Sequence, residues 1–107
     1  MTLAEVLASA ASDAEIDAPG PIEAGHGADG ATTWSIAGHP FAALEADGVT
    51  AAFRLDQVIA DAARRTPDTG HSARGATWVA FRPAELDGHA EDRSRAWFAA
   101  AARRATT

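Results

Sequence analysis

Apolar positions along this chain switch between a spacing of three or four and a spacing of two, and the switches divide it into helices and strands. Leu3, Val6, Leu7 and Ala10 share one helical face, and Thr2 with Glu5 has the spacing of a capping box, so residues 2 to about 13 are predicted as a first helix. From there to Thr33 the chain is acidic and broken by Pro19-Gly20-Pro21, Gly25, Gly27 and Gly30, a composition that predicts a flexible loop over 14–31.

Alternation then begins. Trp34 and Ile36 fall on one side of a strand ending at Gly38-His39-Pro40, and Phe41 to Leu44 forms a second run. Asp47-Gly48 is a hairpin signal, after which Val49, Ala51, Phe53 and Leu55 alternate with Thr50, Ala52 and Arg54. Asp56 is placed to cap a helix to about Arg65, with Val58, Ile59, Ala62 and Ala63 as its inner surface, and Thr66-Pro67 stops it. A polar loop over 66–75 leads into a strand from Thr77 to Phe81, in which Trp78 and Val79 face opposite ways. Asp87 caps a last helix whose inner face is Ala90, Ser94, Trp97, Ala101 and Ala105, with Phe98 beside them. The order predicts an α+β fold in one domain over 1–107: a two-layer sandwich with an antiparallel sheet of about four strands and helices on one side.

Composition narrows the chemistry. The chain has no cysteine, which excludes disulfides, thiolate zinc sites and thiol nucleophiles and favours a cytoplasmic setting. No apolar run is long enough to span a bilayer and the first residues do not read as a signal peptide, so no membrane partner is expected. Net charge is −6, and all nine cations are arginines. Residues 1–53 hold eight acids and no Lys or Arg, against seven acids and nine arginines in 54–107. Alanine fills 29 positions and lysine none, a pattern of G+C-rich coding that advises against reading arginine density as design.

The four histidines, His26, His39, His71 and His89, are isolated, with no ligand spacing for a metal; neither metal nor cofactor is expected. No serine sits in a Gly-x-Ser-x-Gly elbow, and no catalytic residue is assigned; Ser72 beside His71 is where acid–base chemistry would be sought first. The sharper signal is for anions. Arg65, Arg74 and Arg82 bracket a loop with Thr69 and Ser72, offering guanidinium forks and hydroxyls to one anionic ligand. Nucleic acid is the macromolecular version of that ligand, and the net charge disfavours it.

The stretch from Trp34 through Gly38-His39-Pro40-Phe41-Ala42, the Asp-Gly turn, Phe53-Arg54-Leu55, Arg65-Thr66-Pro67, Gly75-x-x-Trp78-Val79 and Ala96-Trp97-Phe98 resembles the MmcQ/YjbR-like family. The N-terminal domain of TfoX/Sxy-like regulators is a second likeness, without the early Met-Phe-Gly-Gly type segment. The first resemblance implies a YjbR/CyaY-like domain, labelled DNA-binding by analogy of shape, with no catalytic set to carry over. The leading expectation is a small non-enzymatic binding domain, monomer or homodimer, using a sheet edge and the arginine-bearing loop. The alternatives are an enzyme with acid–base chemistry near His71 and Ser72, and a module for protein–protein contact or oligomerisation.

Overall fold

Six strands and three helices form in a computed structural model that describes residues 1–107. In chain order they are α1 (Leu3–Ala14), β1 (Ile22–His26), β2 (Thr32–Ile36), β3 (His39–Leu44), β4 (Ala51–Arg54), α2 (Gln57–Ala63), β5 (Thr69–Ser72), β6 (Gly75–Phe81) and α3 (Gly88–Arg103). The strands make one antiparallel sheet in the order β1-β2-β3-β4-β6-β5. The fold is α+β, as the alternation of periods predicts, with six strands where about four are expected. The two additions, β1 and β5, are the two edges. β1 lies within the segment read as a loop over 14–31, and β5 within the loop over 66–75.

The local signals behave as their chemistry requires. Thr2 Oγ1 accepts from the Glu5 N–H at 3.2 Å while Glu5 Oε1 accepts from the Thr2 N–H at 3.0 Å, a complete capping box on α1. Asp47 accepts from the N–H groups of Val49 and Thr50, each at 3.0 Å, and Gly48 takes a φ of +73°, so the β3–β4 turn forms at the Asp-Gly pair. Asp87 caps α3 by accepting from the Ala90 N–H at 2.8 Å.

One core of 20 residues takes side chains from all three helices and from β2, β3, β4 and β6. Trp34 and Phe41 meet Phe98 of α3 edge to face at 5.6 and 5.2 Å, and Phe81 meets Trp97 at 5.2 Å. A bulge explains how Phe41 and Ala42 both reach that core: β2 residues Trp34 and Ser35 pair with Ala42 and Pro40, leaving Phe41 without a partner and turned toward the helices. Alanines such as Ala101 and Ala102 let α3 approach closely. Arg54 Nη2 donates to the carbonyls of Arg104 and Ala105, tying β4 to the end of α3; burial there lowers its pKa, with the like charge of Arg104 adding to the effect.

α2 turns differently from its predicted face. Ala60 and Ala63 are buried, while Val58 is 76% and Ile59 41% exposed. The helix is two turns long and sits on β6, so the small residues make the contact and the branched ones face solvent. No helix is long and apolar enough to cross a membrane.

Candidate binding surface at the sheet edge

The registers place Ala24, Trp34, Ala42, Phe53, Val79 and His71 in one row across the sheet, with Phe53 and Val79 in the core. The adjacent row is Gly25, Thr33, Ala43, Ala52, Ala80 and Gly70, and strand alternation puts it on the opposite face, which no helix covers. Six small or short residues therefore line the middle of the open face. Trp78, also on that face, packs with Ala43 and Ala52 in a cluster separate from the main core.

This is where the structure puts the arginine loop. Arg74, in the turn between β5 and β6, gives Glu45 two hydrogen bonds, Nε to Oε2 at 2.9 Å and Nη2 to Oε1 at 2.7 Å, and its guanidinium lies 5.7 Å from the Trp78 ring centre. The hydrogen bonds to Glu45 raise its pKa, against the opposing effect of burial. Ser72 Oγ accepts from the Arg74 N–H at 3.1 Å, and Thr69 Oγ1 lies 2.8 Å from the carbonyls of both Ala63 and Thr66 at the end of α2. Arg65 is exposed past α2, and Arg82 is exposed past β6, where it adds to the lowering of the Asp47 pKa that is caused first by the Val49 N–H and the Thr50 hydroxyl. The loop thus brings Ser72 to Arg74 and gives Arg74 to Glu45; Thr69 lies opposite Phe81, beside Arg82, whose N–H donates to the Asp68 carbonyl at 2.9 Å, and no hydrogen bond joins the side chains of Arg65, Thr69 and Arg82 to the Arg74–Glu45 pair.

The arginine that sequence reasoning passes over is Arg64. Beyond His71 the β5–β6 register slips, from His71↔Val79 to Ser72↔Gly75, and leaves Ala76 and Trp78 without β5 partners. Arg64 Nη2 donates to both of their carbonyls. Arg93 does similar work from α3: it lies 4.6 Å from the Phe81 ring centre and donates to Thr66 Oγ1 and the Pro67 carbonyl.

His71 is exposed on β5, with no acid bonded to its ring. No three His, Asp or Glu side chains converge closely enough to hold a metal ion. The surface clefts are open. An apolar one lies between Leu3, Val49, Pro83 and Leu86, and a polar one of about 400 Å³ lies on the open face beside β1, lined by Glu23, Gly25, Thr33 and Ser35 among others.

β1 is the element with most left unused. Four of its five residues are exposed, whereas three of the four in β5 are half-buried. The Gly27 N–H donates to the Ala31 carbonyl at 2.8 Å, which fixes the phase of the β1–β2 ladder. By alternation Gly25 and Glu23 direct their backbone groups at β2, and Ala24 and His26 turn theirs outward, where no strand stands. β1 carries neither lysine nor proline, the usual devices that keep a strand edge from pairing. The sequence could have disclosed it through the period-two placement of Ile22, Ala24 and His26, which the surrounding glycines and prolines mask.

No family model, curated protein or solved structure matches this chain.

Proposed function

We propose that this domain is a non-enzymatic binding module that receives an extended segment of another protein as an additional strand on β1. The single observation behind the proposal is the row of outward backbone groups at Ala24 and His26 on an exposed edge strand. Pairing by main-chain hydrogen bonds supplies affinity, and pockets beside the edge supply choice among side chains. The proposal keeps the MmcQ/YjbR-like resemblance as its family reading, a monomer or homodimer as its state, and a cytoplasmic setting, which rests on the absence of cysteine.

Anion recognition by the arginine-bearing loop is the second reading. Arg65 and Arg82 favour it, being exposed and free of ion pairs, and the engagement of Arg74 with Glu45 counts against it.

Ala24→Pro tests the first reading, because proline removes an outward N–H while leaving the groups that pair with β2 in place. Titration of the isotopically labelled protein with an extended, alternating peptide is expected to shift the amides of β1, and Ala24→Pro is expected to abolish those shifts while thermal unfolding stays near that of the parent. Shifts centred on Arg65 and Arg82 instead would transfer the function to the loop.

A further inference from the structure

We infer that the segment received on β1 is cationic, with an arginine or lysine side chain laid across Gly25 into the polar cleft beyond it. The inference rests on strand pairing at β1 and adds the chemistry of the partner.

Gly25 turns its backbone toward β2, so on the outer side of β1 it occupies the closer, non-hydrogen-bonded kind of pair. A Cβ built at Gly25 meets nothing within 4 Å, which leaves the way open for a long side chain from the incoming strand. That side chain would cross β1 toward Thr33, two strand spacings of about 4.8 Å away, a span covered by an extended arginine and one hydrogen bond. Glu23 lies on the same face two residues along, and Ser35 is its cross-strand neighbour. The cleft therefore offers a carboxylate and two hydroxyls, and Glu23 is bound to no cation of its own.

The surroundings agree in sign. Glu23 is the one acid lining the cleft, it is exposed and outside every ion pair, the only other titratable side chain there is His26, and residues 1–53 contain no Lys or Arg. A second copy paired through the same edge would bring the two Glu23 side chains onto one face, so charge selects a basic partner over self-association.

The test uses the peptides Thr-Val-Thr-X-Thr-Val-Thr, with X as arginine, its neutral isostere citrulline, or glutamate, each titrated against the full chain and followed by the β1 amides. The arginine peptide is expected to bind at least about threefold tighter than the citrulline peptide, with glutamate weakest, as for an exposed charge pair. Glu23→Gln is expected to bring arginine down to the citrulline level and leave citrulline unchanged. Equal binding of arginine and citrulline, with both lost in Ala24→Pro, overturns the inference and leaves strand pairing standing. If no peptide shifts β1, or Ala24→Pro binds as well as the parent, both fall. A peptide-free dimer that Ala24→Pro dissolves overturns the cationic partner in favour of a second copy.

Discussion

At the scale of single residues, Arg74 is held on two sides, by the carboxylate of Glu45 and by the ring of Trp78. Two hydrogen bonds to Glu45 and the position over Trp78 make it a structural clamp, half-buried with a half-buried partner. Gly75 belongs to the same assembly: a Cβ there would come within 3.0 Å of Trp78 Cδ1, so the turn between β5 and β6 lies against the indole. Removing the clamp has a measurable signature. Arg74→Ala is expected to cost about 1 kcal/mol in urea unfolding, the scale of a partly exposed two-point ion pair, and to open the indole fluorescence to acrylamide quenching. Glu45→Ala should do the same, and the double variant should lose less than the sum. Trp78→Ala, which empties the cluster with Ala43 and Ala52, is expected to cost about 3–5 kcal/mol. Strict additivity of Arg74→Ala and Glu45→Ala would show that the pair does not act as a unit.

At the scale of elements, what was legible in the sequence follows from what enters the core. β2, β3, β4 and β6 each bury large side chains, among them Trp34, Phe41, Phe53 and Phe81, and apolar runs announce all four. β1 and β5 contribute no residue to that core cluster, and their sequences, Ile-Glu-Ala-Gly-His and Thr-Gly-His-Ser, are those of turns by composition. Apart from Ile22, which packs against the core, backbone pairing makes them strands, and that information sits in their neighbours. The candidate site was hidden for the same reason, since an edge is defined by the strand that is absent. Phe41 opens an apolar run, but its face depends on the bulge opposite Trp34 and Ser35, which no period reports. α2 misleads in the other direction: on a helix of seven residues, Val58 and Ile59 outrank Ala60 and Ala63 in hydrophobicity, yet closeness to β6 selects the alanines. The consequence is a reversal of the expected mutational ranking. Val58→Ser should change stability by less than about 0.5 kcal/mol, and Ala63→Leu should cost about 1–3 kcal/mol by overpacking. Thermal and urea unfolding of the two variants measure this, and the opposite order would restore Val58 to the interior.

At the scale of the whole molecule, the arginine inventory decides how the protein meets polyanions. Of nine arginines, Arg54 holds the end of α3, Arg64 holds carbonyls of β6, Arg74 holds Glu45, Arg93 joins α3 to the loop before β5, and Arg95 joins α3 to Asp13 of α1. Arg65, Arg82, Arg103 and Arg104 remain, and they face a surface whose net charge is −6. Binding to DNA needs several phosphate contacts at once and loses affinity steeply as salt rises. With its guanidiniums largely spent on internal contacts, and half the chain carrying acids alone, the domain is expected to show no polarisation change with labelled duplex or single-stranded DNA at about 50 mM salt, and none at about 200 mM. Binding at the lower concentration that disappears at the higher would reverse the argument, because it would show that the few exposed arginines form a local positive patch strong enough to overcome the field of the whole; Arg65→Ala and Arg82→Ala would then be the variants to lose it, and Arg74→Ala would change stability before it changed affinity.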